Sequence, residues 1–188
     1  MAGVDEAGRG PLAGPVAAAA VILPEGFRLA GLDDSKKLTA ARREAVYEAL
    51  REDPAVEWGV ALATVAEIEA LNILRATHLA MRRALLMLER APDHCLIDGL
   101  PVRDCPIPHD AVVKGDGKSL SIAAASVIAK VTRDSLMLEI DREFPAYGFA
   151  RHQGYGTKEH LEALRIHGPC RHHRRTFQPV AQLALSFE

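Results

Sequence analysis

Apolar and polar positions fall into short runs in the first half of the chain and into longer helical patterns in the second. Residues 16–23 are almost wholly apolar and β-compatible, the pattern of a strand covered on both faces. Residues 2–6, 56–64, 94–98 and 111–114 are further strand candidates, and Val56-Glu57-Trp58-Gly59-Val60 partly alternates. Helical patterns cover residues 39–51, where Thr39 is an N-cap candidate, then 73–90, 119–144 and 157–167. Pro145 ends the third of these, and a short segment from Pro179 closes the chain. Strand candidates dominate early and later ones alternate with helices, which predicts an α/β domain built on a mixed sheet with helices packed against it. The proline-rich residues 101–108 read as a loop between the fourth and fifth strands.

The 188 residues are 48% hydrophobic and 26% charged, enough for one domain with a real core. The run at residues 16–23 is too short to span a bilayer and follows no basic leader, so a cytoplasmic protein is expected. Cys95, Cys105 and Cys170 lack paired spacing, which fits a reducing compartment and argues against structural zinc. Net charge is only −2, yet residues 151–175 carry Arg151, Lys158, Arg165, Arg171, Arg174, Arg175 and five histidines against Glu159 and Glu162. That segment either follows a phosphate backbone or is a solvated surface.

The densest chemistry lies at the start, where Asp5 and Glu6 precede Gly8, Gly10 and Gly14. Side chains of consecutive strand residues point to opposite faces, so the two acids can share one site only at a strand's end, one toward solvent and the other leaning in. Acids beside exposed backbone amides suit a metal-dependent site for a phosphate-bearing substrate. Asp98 ends the run Cys95-Leu96-Ile97 and precedes Gly99, the position of a strand tip; Asp116 sits between a strand and a helix. Each of these two is also read as an ordinary turn residue. Four carboxylates drawn together would require cations, and an all-oxygen set favours Mg²⁺ or Mn²⁺ over zinc. The glycine spacing loosely matches a dinucleotide loop, but Pro11 and Pro15 interrupt it and no helix follows.

Residues 3–16 (GVDEAGRGPLAGPV), 34–38 (DSKKL), Asn72-Ile73 with Ala80-Met81, 96–99 (LIDG), 114–134 (KGDGKSLSIAAASVIAKVTRD), 152–160 (HQGYGTKEH) and 173–180 (HRRTFQPV) together resemble bacterial ribonuclease HII, in family order and over nearly the whole chain. Thr176 stands where that pattern often has serine, and keeps the hydroxyl. The resemblance implies an RNase H-like fold, a mixed five-stranded sheet flanked by helices, with a C-terminal helical, substrate-binding portion over about residues 145–188. It implies an endonuclease that cuts RNA in RNA–DNA hybrids and nicks 5′ of single ribonucleotides embedded in duplex DNA, leaving 3′-hydroxyl and 5′-phosphate ends, in ribonucleotide excision repair.

The family's catalytic and metal-binding acids carry over as Asp5, Glu6, Asp98 and Asp116, holding two Mg²⁺ or Mn²⁺ ions, with Asp134 in a supporting place. Gly8, Arg9 and Gly10 are expected to contact the ribose 2′-hydroxyl, and Tyr155 to pack on the sugar to its 3′ side. Lys36, Lys37 and Lys118 are phosphate-contact candidates, with surface solvation as the alternative. A Holliday-junction resolvase would share the acids but has no use for a 2′-hydroxyl reader, and a hybrid-binding module without activity would not need all four. The chain opens four residues before Asp5, so no extra N-terminal domain of the ribonuclease HIII type is expected. The tail Gln182-Leu183-Ala184-Leu185-Ser186-Phe187 resembles the short peptide that docks on sliding clamps, through Gln182, Leu183, Leu185 and Phe187; the alternative is a last helix packing Leu183 and Leu185 onto the domain. A monomer is expected.

Overall fold

The computed structural model describes residues 1–32 and 38–184. Lys36, Lys37, Leu185 and Phe187 lie outside the described residues. Five strands, β1 (Ala2–Ala7), β2 (Val16–Ile22), β3 (Glu57–Ala63), β4 (Cys95–Asp98) and β5 (His109–Val112), form one mixed sheet in the order β3-β2-β1-β4-β5. β2 lies antiparallel to β1 and β3, whereas β1, β4 and β5 run parallel. The mixed five-stranded sheet flanked by helices is the architecture expected from the sequence.

β2 shows why the sheet can be covered on both faces. Ala18 and Ala20 join a cluster with Ala76, Ala80, Ala84 and Leu85, while Ala19 and Val21 join another with Ala124, Val127 and Ile128. The first helix set belongs to α3 (Ile73–Leu86) and the second to α4 (Leu120–Glu143). Alanine on the strand lets both helices approach closely without leaving voids. Gly3 takes this furthest: a Cβ there would lie 2.1 Å from the Ser121 carbonyl carbon, so α4 begins directly against β1.

Most expected elements are present with small shifts. β5 begins at His109 and stops at Val112, because Lys114 adopts a left-handed conformation (φ 55°, ψ 47°) that cannot continue a strand. α3 stops at Leu86 rather than near residue 90, where Glu57 instead takes both the Arg90 backbone N–H and its Nε, at 2.7 and 2.9 Å. α1 (Ala40–Glu52) is capped by Thr39. The helix α2 (Val65–Leu71) was not expected, although Thr64 and Glu67 form a reciprocal capping box that the sequence displays. After α4 the chain continues through α5 (Phe149–His152), α6 (Lys158–His167) and α7 (Val180–Ala184). Among the described residues no helix is long and apolar enough to cross a membrane.

Candidate active site

The parallel trio β1, β4 and β5 ends at one edge of the sheet, and the acids collect there. Val4 pairs with Ile97, which sets Asp5 beside Asp98 at the tips of neighbouring strands. The left-handed turn at Lys114 swings Gly115 back, so its N–H donates to Asp98 Oδ1 at 2.6 Å. Asp116, the next residue, is 4% exposed and is thereby held against the same edge.

The expectation that one of the opening acids points to solvent is corrected: Asp5 is 6% exposed and the Glu6 side chain 13%. Ser126 of α4 hydrogen-bonds Asp5, and Arg9 Nη1 lies against Glu6. Burial pushes the Asp5 carboxyl well above its ordinary range, and the charges of Glu6 and Asp98 push the same way. Hydrogen bonds from the Glu6 N–H, at 2.7 Å, and from the Ser126 side chain oppose the rise. Glu6 is also raised, chiefly by burial, against the pull of Arg9, whose Nη1 lies 3.2 Å from Glu6 Oε1. Asp98 adds to the rise of both. Ser126 has no signal in the sequence beyond its place on an alanine-rich helix.

Hard oxygen donors whose charges repel one another in a buried setting fit a divalent cation in kind. Among the described residues no group of three or more His, Cys, Asp or Glu side chains is arranged to hold an ion as it stands. The backbone brings the donors to one edge, and their mutual repulsion is what a cation would relieve.

Beside the acids, residues 8–15 form a loop whose carbonyls turn inward onto two buried guanidinium groups. Arg174, fully buried, donates to the carbonyls of Gly8 (2.6 Å), Arg9 (2.9 Å), Pro11 (2.8 Å) and Gly14 (2.8 and 3.0 Å). Arg133 of α4 donates to Ala13 (3.1 Å), Pro15 (3.0 Å) and Gln153 (3.0 Å). Gly8 (φ 97°) has no room for a side chain, since a Cβ would sit 2.0 Å from Arg133 Nε. Burial and the neighbouring Arg133 pull the Arg174 guanidinium down to about 9, still charged at neutral pH.

Tyr155 stands next to this loop, its Cε1 3.5 Å from where a Gly10 Cβ would be, with the residue 47% exposed. Its backbone is fixed by a chain of neutral histidines. The Cys170 N–H donates to His173 Nδ1, His173 Nε2 meets His160 Nε2 at 3.0 Å, and His160 Nδ1 meets the Tyr155 carbonyl at 2.9 Å. One tautomer set satisfies the whole chain: His173 protonated on Nε2 and His160 on Nδ1. Burial lowers His160 to about 4 and His173 to about 3, so both are neutral.

A cavity of about 250 Å³ opens between the acids and the tyrosine, lined by Glu6, Gly8, Arg43, Ser126, Lys130 and Tyr155 among others. Lys130 Nζ pairs with Asp134 at 2.7 Å, which puts Asp134 behind that wall rather than among the acids. Lys118 Nζ donates to the Val113 carbonyl at 2.9 Å, on the loop that carries Asp116. The basic segment 151–175 divides between buried groups and surface ion pairs. Arg174, His152, His160 and His173 are buried, while Arg151, Arg165 and Arg171 pair with Glu159, Glu162 and Glu143. At the chain's end Leu183 is partly buried against Leu12, Leu164 and Val180, whereas Gln182 is exposed.

The ribonuclease HII family model matches residues 2–180. Ribonuclease HII of Geobacillus kaustophilus (strain HTA426) is 54% identical over 188 residues, covering 100% of this chain and 72% of the relative. Among solved structures, ribonuclease H2 from Pyrococcus horikoshii OT3 superposes with a TM-score of 0.83 at 27% identity, over 99% of this chain and 97% of that one. The RNase HII in the PCNA complex from Archaeoglobus fulgidus does so with a TM-score of 0.79 at 26% identity, over 94% of each chain. Fold, sheet-edge acids and relatives agree: the chain belongs to the ribonuclease HII family, endonucleases of the ribonuclease H type acting on RNA in RNA–DNA hybrids.

Proposed function

We propose that this enzyme nicks 5′ of a single ribonucleotide embedded in duplex DNA, using divalent cations held by Asp5, Glu6, Asp98 and Asp116. The observation that carries the reading is the set of buried, mutually repelling carboxylates on adjacent strand tips, next to a loop and a tyrosine held in place. When bound, Mg²⁺ or Mn²⁺ lowers the pKa of water and stabilises charge on the leaving 3′-oxygen. Ser126 and the Glu6 amide orient Asp5, and Arg9 restrains Glu6. The loop at Gly8, Arg9 and Gly10 meets the 2′-hydroxyl through its backbone, and Arg174 keeps that backbone from moving. A deoxy sugar leaves the loop's polar groups unpaired, at a cost of about 1–3 kcal/mol for each buried one. Tyr155 offers its ring to the following sugar. Lys118, with Lys36 and Lys37, contacts phosphates, and residues from about 145 onward form the substrate-binding portion.

The test is a duplex carrying one ribonucleotide beside an all-DNA control. A nick 5′ of the ribonucleotide is expected with Mg²⁺ or Mn²⁺, and none in EDTA or on the control. Cleavage of the control, or undiminished cleavage in EDTA, overturns the reading.

A second reading concerns the tail. The archaeal relative solved with PCNA supports a clamp-docking role for Gln182, Leu183, Leu185 and Phe187, and Gln182 is exposed. Equal clamp pull-down by protein with and without residues 182–188 ends that idea.

A further inference from the structure

A second cavity, of about 390 Å³, lies at the junction of α2 and α3 and is lined by Leu71, Arg75, His78, Arg82, Arg103 and Asp104. Its charge is not neutralised from within. Asp104 lies 3.8 Å from Arg103, both side chains well exposed. Among the described residues neither Arg75 nor Arg82 has an ion pair, and Arg82 Nε is buried with no hydrogen-bond partner. The next residue makes the contrast plain. Arg83 gives two bonds to Glu67, at 2.7 and 3.1 Å, and a third to the Leu62 carbonyl. An arginine short of a partner within the protein, beside two further arginines in one cavity wall, is a setting that favours an oxyanion.

The His78 ring, which accepts a hydrogen bond from the Arg103 N–H at 3.3 Å, is lowered by burial and by the positive charges of Arg9 and Arg82. Arg9 is the residue paired with Glu6. The charge of Arg9 is thus felt both at Glu6 and at the His78 ring in the cavity wall.

We propose that this cavity is a binding site for a backbone phosphate of the nucleic-acid substrate, away from the bond that is cut, with Arg75 and Arg82 as its principal contacts. The site gives the enzyme a second hold on the duplex, on the α3 side of the sheet, opposite the cavity walled by Lys130 and Tyr155. The assignment rests on the nuclease reading for the identity of its ligand, and its test is made on binding, so that the two fail separately.

Binding of the ribonucleotide-containing duplex is measured by fluorescence anisotropy in EDTA, for the native protein and for Arg75→Gln, Arg82→Gln and the double variant. The double variant is expected to bind about fivefold to twentyfold more weakly at moderate salt, with the slope of log K against log salt reduced by about one per arginine. A scan of single methylphosphonate substitutions is expected to reveal one neutralised phosphate that weakens the native protein and leaves the double variant unaffected. Inorganic phosphate added as competitor separates a free anion site from a duplex contact: protection of Arg82 with no effect of any methylphosphonate overturns the proposal. Unchanged affinity and salt slope in the double variant, with a melting temperature equal to the native one, overturns it as well. Absence of cleavage by the native protein, with binding and its arginine dependence intact, counts against the nuclease reading alone.

Discussion

The sheet edge and the C-terminal block bury polar groups in opposite ways. At the edge, burial and the charge of Asp98 raise the proton affinity of Asp5 and Glu6, and Arg9 supplies a positive partner to Glu6. In the block, Arg174, Arg133 and the histidine chain are nearly saturated, each donor meeting a carbonyl or ring nitrogen. Buried charges without partners are costly, and buried donors with every partner in place make a rigid frame. The molecule thus sets an electrostatically unfavourable site into a surround that cannot relax around it. That is an arrangement a cation-dependent catalyst would use: the binding energy of an ion would offset the repulsion, while the frame keeps the neighbouring loop in place.

The comparison is broken most severely at the acids. Asp5→Asn and Asp98→Asn are each expected to lower cleavage by more than about a hundredfold, the scale of losing one electrostatic partner of a transition state. Because the native carboxylates repel, the same variants should melt at or above the native temperature. A clear fall in melting temperature would show that the edge is not under electrostatic stress.

Next comes Arg174→Ala, which strands several loop carbonyls at once. We expect a loss of about 3 kcal/mol or more in chemical denaturation, given about 1–3 kcal/mol for each buried group left unpaired. Arg174→Lys should recover only part of this, since an ammonium cannot reproduce the planar fork that meets four residues. Full recovery would reduce the contact to charge alone.

A smaller effect lies in pH. His160 and His173 titrate near 6.5 when unfolded but at about 4 and about 3 when folded, so the unfolded chain binds more protons in between. Stability is therefore complete above about pH 6.5 and declines as pH falls toward 4, by up to about 1.4 kcal/mol per pH unit for each site. Urea midpoints that stay level between pH 7.5 and 5 would contradict the assigned tautomers. Smallest of all is Tyr155→Phe. With the side chain exposed, its stability should stay within about 0.5 kcal/mol of native. Tyr155→Ala should instead slow cleavage at the ribonucleotide junction by raising KM.

What could be read in advance follows from the range of the interactions. Asp5, Glu6 and Asp98 were visible because strand tips, acids and adjacent glycines are neighbours in sequence. The capping box at Thr64 was equally local, and α2 could have been found from it. Arg174 could not be read this way, because its partners are backbone carbonyls, which have no sequence identity. Counting charge over residues 151–175 treated Arg174 and Arg151 alike, although one is sealed inside and the other is paired at the surface. The buried histidines are hidden for the same reason: composition records how many there are, not which way they face. The opening acids were expected to divide between core and solvent, yet the Asp5 residue and the Glu6 side chain are both largely buried.

The bond from Arg174 to the Gly8 carbonyl joins positions 166 residues apart. During synthesis the opening segment leaves the ribosome long before its clasp does. The strands can pair early, yet the loop over residues 8–15 lacks its clasp until that arginine has emerged. The geometry of the opening loop is thus the last part of this edge to be set, although its residues are the first to be made.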